Sequence, residues 1–334
     1  MALALSNGHI YSEFGRIRIK HPLLEDAHKL YDDLRYAKRH GNGQPQKWGA
    51  LFAPSQSGKT MSITTYIETV VVDELIQQGK FPPDMDRKEI ARLQKIVVHV
   101  TLSAKATPKS LAVDILTSFG DPAPSRGTTQ GLLKRAYEYL RYHGTELLAI
   151  DEIQHLSDKL VSSKGVHSRA GIAESTAVTD TLKTMLLHGL TPMIFVGIAE
   201  ARHHLFNDVQ LAARCVRELN FAALDIADST QRKVFFDFVG KLGLKLKRHG
   251  LFEDDTDLLS GDVPACVHAV AGGRLGMAAN LVLAACVEAR EQKATRVTRE
   301  HLSDATDGWA IPMGLVGYNP FRIGARQVIL EAAE

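Results

Sequence analysis

The feature that most constrains this chain is an alternation of short apolar runs with longer stretches of helical periodicity. The runs are WGALFA (48–53), KIVVHVTL (95–102), ELLAID (146–151), MIFVGI (193–198) and RELNFA (217–222). Each has strand length and sits near glycine, proline or polar punctuation. Helical patterns fill the intervals at 59–78, 108–119, 129–142, 174–188 and 199–206. Strand alternating with helix predicts an α/β fold, a parallel sheet covered by helices on both faces. After about Asp225 the strands stop, and 229–248, 255–270, 274–292 and 298–308 all read as helices. The expected organisation is an N-terminal extension over 1–46, an α/β domain over 47–225, a small all-helical lid over 226–308 and a tail over 309–334. The polar, Gly/Ser-rich segment 159–176 reads as a surface loop, and GYNPF at 317–321 as a turn signal.

Composition narrows the function classes. Hydrophobic residues make up 45% and charged residues 23% of the 334, which supports a real core. The net charge of +2 leaves both nucleic acid and protein open as partners. Cys215, Cys266 and Cys286 are far apart and form no CxxC pair, which argues against a zinc site or a disulfide framework. No basic segment followed by a long apolar run opens the chain, and the apolar segments near 69 and 281 are interrupted by charge. These features predict a soluble, cytoplasmic protein with no membrane partner.

The first apolar run leads into Ala53-Pro54-Ser55-Gln56-Ser57-Gly58-Lys59-Thr60-Met61. This fits GxxxxGK[ST] except that alanine replaces the first glycine. A strand before the loop and a helix after it are the context a phosphate-binding loop requires. Backbone N–H groups of Ser55 to Met61 would cradle phosphates at the helix N-terminus. Lys59 would reach the β- and γ-phosphates, and the Thr60 hydroxyl would hold Mg²⁺. Alanine at 53 needs only an ordinary φ, whereas Gly58 lies where phosphate comes closest to the backbone. A chance GKT is the plain alternative.

ELLAIDEIQHL (146–156) weighs against it. An apolar strand ending in Asp151-Glu152 fits a Walker B motif: Asp151 would hold Mg²⁺ through water, and Glu152 would act as general base on the attacking water. The spacing of roughly ninety residues leaves room for one inserted strand, and a glutamate directly after the aspartate places the chain among additional-strand P-loop ATPases. The cofactors implied are ATP and Mg²⁺.

Two further segments suit an oligomeric AAA+ ATPase. DVQLAARCVRELNF (208–221) places Arg214 and Arg217 ahead of the last strand, where an arginine finger completes a neighbour's site. Surface ion pairs are the ordinary alternative. Gly272-Gly273-Arg274 opens a helix in the lid, and Arg274 is a sensor-2 candidate that would contact the γ-phosphate. PMIFVGIAEA (192–201) carries Gly197 and Ile198 where a polar sensor-1 side chain is usual, so hydrolysis to ADP and phosphate is expected to be slow or partner-stimulated. His203 and His204, adjacent on a helix, are expected to point apart and to form no metal site.

RIRIKHP (16–22), the degenerate Walker A, VTLSAKATPKSLAVDILTSFGDP (100–122), LLAIDEIQHL (147–156), PMIFVGIAEA and NPF (319–321) together resemble the TniB/TnsC family of AAA+ transposition regulators, related to MuB and IstB. The chain has VGI where that family more usually has VGT. The resemblance implies an ATPase that assembles as a helical filament or ring on double-stranded DNA, independently of sequence. It also implies recruitment of a transposase and a TniQ-like target-selection protein. On the same grounds Lys105 and Lys109 are the leading DNA-contacting residues, with Arg126, Lys134 and Arg135 behind them. The basic run KLGLKLKRH (241–249) reads more simply as a solvated helix face. The NPF tail could dock a partner or pack on its own domain. A nucleotide-gated interaction, signalling or secretion ATPase that does not bind DNA would share the same Walker pair.

Overall fold

The computed structural model describes residues 6–157 and 169–325. By their contacts these divide into two compact units. One comprises Leu23–Ser55 and Lys59–Phe221; the other comprises Met1–Pro22, Gln56–Gly58 and Ala222–Glu334, each taken over its described residues.

The first unit holds a five-stranded parallel sheet in the order β2-β3-β4-β1-β5. The strands are β1 (Trp48–Phe52), β2 (Val97–Thr101), β3 (Leu147–Asp151), β4 (Met193–Gly197) and β5 (Cys215–Asn220). Every residue of β1, β3 and β4 is buried, as strands covered on both faces require. The pleat sends alternate side chains to two separate cores. Ala50, Phe52, Ile150 and Phe195 face one, built with the helices Pro108–Phe119 and Thr129–Tyr142. Leu51, Ala149, Ile194 and Val196 face the other, built with Ile63 and Tyr66 and with Ala27, Leu30, Tyr31 and Leu34.

That second core changes the reading of the N-terminal 46 residues. The helix Pro22–His40 buries Leu24, Ala27, Leu30, Tyr31 and Leu34, a stripe at helical spacing, and forms part of the sheet unit. It also buries Arg35, whose side chain is 3% exposed. Arg35 donates to Glu146 at 2.9 Å, to Glu74 at 2.6 Å and to the Tyr66 hydroxyl at 2.7 Å.

Other elements differ from expectation in informative ways. The helix over 59–78 is broken by a π-helical stretch, Ile67–Val71, between Lys59–Tyr66 and Val72–Gln77. A short helix, Arg87–Leu93, capped by Asp86, has too few apolar residues to show a period. The helix expected from 174 begins at Arg169, so 169–176 is not loop; residues 159–168 of that expected loop lie outside the described residues. β5 starts two residues earlier than its apolar run because it is an edge strand, and most of its side chains are exposed.

The second unit is helical: Asn7–Phe14, Ser229–Arg248, Val263–Ala271, Leu275–Glu291, Arg299–Ala305 and Pro320–Ile323. The helix expected from 255 starts at Val263, where Pro264 occupies the first turn, the position that tolerates a missing N–H. The run 241–249 lies at the end of Ser229–Arg248, which buries Leu242 and Leu246 and pairs Lys247 with Asp255 at 3.2 Å. That is a solvated helix face. The NPF segment packs into its own unit: Asn319 donates to the Ser303 carbonyl at 2.9 Å, and Pro320 and Phe321 are buried. Among the described residues no single helix is long and apolar enough to span a membrane. Val263–Ala271 and Leu275–Glu291 pass that test only as a pair bent by 114°.

Because Arg35 ties the helix Pro22–His40 to Glu74 and Glu146 from a buried position, Arg35→Ala should cost about 2 kcal/mol, the loss of its charged hydrogen bonds, since Arg39 still reaches each carboxylate at 2.7 Å. Urea denaturation would read this as a lowered midpoint at constant slope; an unchanged midpoint would contradict the assignment.

A candidate nucleotide site at the ends of the central strands

Parallel strands bring all their C-terminal ends to one edge of the sheet, which is where open α/β sheets bind ligands. β4 lies between β1 and β3, so the loop after β1 and the acidic end of β3 face each other across one strand. Thr60 Oγ1 donates to Asp151 Oδ2 at 2.6 Å and closes that gap.

The loop has the form a phosphate cradle needs. Ala53 is buried, keeps a negative φ, and donates its amide to the Gly197 carbonyl at 3.1 Å. Gly58 takes φ +91 with open space where a Cβ would stand, so glycine is needed there for its backbone. Gln56 takes φ +63. The Ser57 hydroxyl is buried and has no hydrogen-bond partner among the described residues. Lys59 Nζ donates to the carbonyls of Ala53 at 2.7 Å and Pro54 at 2.8 Å. Burial pushes the Lys59 pKa down against the pull of Asp151 and Glu152, so its ammonium is short of solvation. Ser55 and Met61 are exposed at either end of the loop.

The first turn of the helix that follows is anchored from behind. Ser62 Oγ donates to the Lys59 carbonyl at 2.7 Å and pairs with the Tyr31 hydroxyl at 2.8 Å, while His28 Nε2 lies 3.1 Å from the Ser62 carbonyl. Sequence reading misses this support because Tyr31 and His28 belong to a helix assigned to an extension.

Asp151 is 4% exposed. Burial opposes its ionisation, but hydrogen bonds from His99, Thr60 and the Glu152 amide outweigh that and hold its carboxyl below the ordinary range. His99 Nε2, from β2, lies 3.3 Å from Asp151 Oδ2. Its position two residues before the strand end is the available signal for this contact. Glu152 takes φ +61, and its carboxylate accepts from Gln154 Nε2.

These residues fit a nucleoside triphosphate with Mg²⁺. A buried hydroxyl without a partner, an open glycine and a desolvated ammonium suit phosphate oxygens. Thr60 and Asp151 supply hard oxygen donors of the kind Mg²⁺ takes alongside phosphates. Bound there, the ion would supply charge neutralisation at the phosphoryl group.

The remaining residues singled out in the sequence lie elsewhere. Lys105 is exposed at φ +60 in the loop after β2, and Lys109 is in the first turn of Pro108–Phe119. Arg217, on β5, pairs with Asp26 at 2.6 Å, both groups being about half exposed. Arg214 is partly buried, and its Nε has no partner among the described residues. Arg274, in the helical unit, precedes Leu275–Glu291 and donates Nε to the Ala271 carbonyl at 3.2 Å. His203 and His204 do not point apart: their ring centroids are 3.7 Å apart. Burial, helped by His203, pushes His204 down to about 4, and no group of three or more His, Cys, Asp or Glu side chains placed to hold a metal ion occurs among the described residues.

Comparison with known proteins agrees with this geometry. Residues 42–205 match the profile of an AAA domain family. The chain therefore carries an AAA+ ATPase domain in an α/β AAA+ fold, followed by a mainly helical region. No curated protein matches it. Among solved structures, ORC1 of Aeropyrum pernix in complex with DNA shares the fold with a TM-score of 0.57 at 16% identity, over 91% of this chain and 68% of that one. ORC2 of the same organism, in ADPNP and ADP complexes, gives 0.56 at 12%, over 87% and 68%. Cdc6p of Pyrobaculum aerophilum gives 0.56 at 14%, over 89% and 70%.

If Lys59 meets phosphate, Lys59→Ala should weaken binding of a fluorescent ATP analogue by at least about tenfold, the loss of one charge-assisted hydrogen bond. Equal affinity in a titration of the two proteins would exclude that role.

Proposed function

We propose that this protein is an ATP-dependent, DNA-binding AAA+ ATPase that assembles head to tail on duplex DNA and recruits or activates a transposase there. The transposition role rests on the TniB/TnsC resemblance. The observation that carries the DNA contact is the state of the basic side chains on the sheet unit. Lys134, Arg135, Arg202 and Arg217 each have a carboxylate within bridging distance, at 3.9, 3.0, 2.9 and 2.6 Å. Lys105, Lys109 and Arg126 are exposed and have none among the described residues, so their charge is available to phosphates without loss of an ion pair; the resemblance puts Lys105 and Lys109 first. The DNA complex of the structurally similar ORC1 is in keeping with this reading.

In this reading ATP occupies the loop 55–61, with Lys59 against the phosphates and Thr60 and Asp151 holding Mg²⁺. Glu152 takes the proton of the attacking water. Arg217 is the more exposed of the two finger candidates. Its pair with Asp26 joins two half-exposed groups, a kind of contact that contributes little and exchanges readily. A finger acting in trans makes the interface heterologous, which closes into a ring or extends as a filament. Arg274 is the sensor-2 residue in this reading. Nucleotide bound only in the assembled state stabilises that state by linkage, and hydrolysis releases it.

Replacing both Lys105 and Lys109 with glutamate should weaken binding to random duplex DNA and flatten the salt dependence of log K by about two, roughly one for each phosphate no longer neutralised. Fluorescence anisotropy over a NaCl series reads both. An unchanged slope would remove these lysines from the interface. Assembly that needs ATP but ignores DNA would favour the nucleotide-gated interaction ATPase instead.

A further inference from the structure

The strand between the two Walker segments ends in Gly197, which offers no side chain to the site, yet the space above it is filled by a polar group from elsewhere. We propose that Gln154 is the positioning residue for Glu152 and supplies the polar function that β4 lacks; this rests on the reading of Glu152 as general base.

Gly197 pairs in register with Phe52, and its carbonyl accepts the Ala53 amide at 3.1 Å, so the phosphate loop begins on one side of it. On the other side runs the short 3-10 helix Ile153–Ser157, directly after Glu152. A Cβ on Gly197 would stand 2.5 Å from Ile153 Cγ2 and 3.1 Å from Gln154 Oε1. Residue 197 is therefore glycine because that helix crosses close above it, and the Gln154 carboxamide stands where a longer side chain at 197 would point. The same carboxamide donates Nε2 to Glu152 Oε2.

Glu152 needs such a partner. Its φ of +61 is one that residues with a side chain seldom adopt. The backbone around it is fixed: the Glu152 amide donates to Asp151 Oδ1 at 2.8 Å, and the His155 amide donates to the Glu152 carbonyl at 2.9 Å. His155 Nδ1 lies 2.8 Å from the Leu102 carbonyl and holds the turn against the end of β2. The backbone thus sets where the Glu152 side chain starts, and Gln154 sets where its carboxylate ends. With Oε2 held by the amide, Oε1 is left to take a proton in one orientation, which is the geometric requirement of a general base. Because Gln154 touches Glu152 and not a reacting atom, it is a positioning residue.

Steady-state ATP turnover on duplex DNA tests this with Gln154→Met, Glu152→Gln and the double variant. Methionine fills the same volume over Gly197 and Ile153 but has no amide to donate. Gln154→Met should lower kcat about tenfold or more, part of the 10²–10⁴ a general base contributes. KM should stay within about twofold, the thermal midpoint should not move, and nothing should be added in the Glu152→Gln background. Wild-type kcat in Gln154→Met beside a dead Glu152→Gln would overturn the positioning role and leave the base in place. A fall in kcat accompanied by a lowered thermal midpoint would overturn it in favour of packing. Wild-type turnover in Glu152→Gln would sink the base itself.

Discussion

The site depends on one short hydrogen bond, Thr60 Oγ1 to Asp151 Oδ2 at 2.6 Å, which joins segments 91 residues apart. It can form only because β4 is inserted between β1 and β3 and all three strands run the same way. A shift of one residue in β3 would turn Asp151 to the other face of the sheet. The register is held by Leu148 against Met193 and Ile150 against Phe195, side chains buried in a single core. Packing deep in the sheet thus sets the position of the carboxylate at its edge. Three donors, from Thr60, His99 and the Glu152 amide, keep that carboxylate ionised despite its burial.

Strain gathers at the same edge. Five described non-glycine residues take positive φ, and three of them, Gln56, Lys105 and Glu152, lie in the loops after β1, β2 and β3. Each such conformation costs on the order of 1–3 kcal/mol and persists only where the surroundings enforce it. The enforcing contacts are visible at Glu152, in the 3-10 helix and its hydrogen bond to Leu102. Behind the loop after β1, the helix Pro22–His40 grips the first turn of Lys59–Tyr66 through Tyr31 and His28. A segment that reads as an extension is therefore part of what holds the helix after β1 in place.

Much of this is legible in the sequence, for physical reasons. β1 to β4 are fully or mostly buried, so their apolar runs stand out. The helices Pro108–Phe119 and Thr129–Tyr142 match their expected limits because Thr107 and Thr128 cap them. β5 is harder to place because an edge strand with exposed side chains carries no full apolar run. The helix Pro22–His40 has a readable stripe, but one that mixes Tyr31 and Arg35 with leucines and so passes for a surface pattern. The lack of a polar side chain at Gly197 is plain from the sequence. Its consequence is not, because the approach of Gln154 is a tertiary contact that local pattern does not encode. The NPF tail is ambiguous for the same reason: only Ser303 and Asp307 show that Asn319 is bound within its own unit.

We propose that nucleotide held between Lys59, Thr60 and Asp151 controls assembly on DNA. Negative-stain microscopy of the protein with random duplex DNA at low salt, with ATP and Mg²⁺, with ADP and Mg²⁺, and with no nucleotide, tests it most directly. Ordered rings or filaments should appear on the DNA in the ATP sample alone. The same assemblies in all three samples, or none in any, would contradict it.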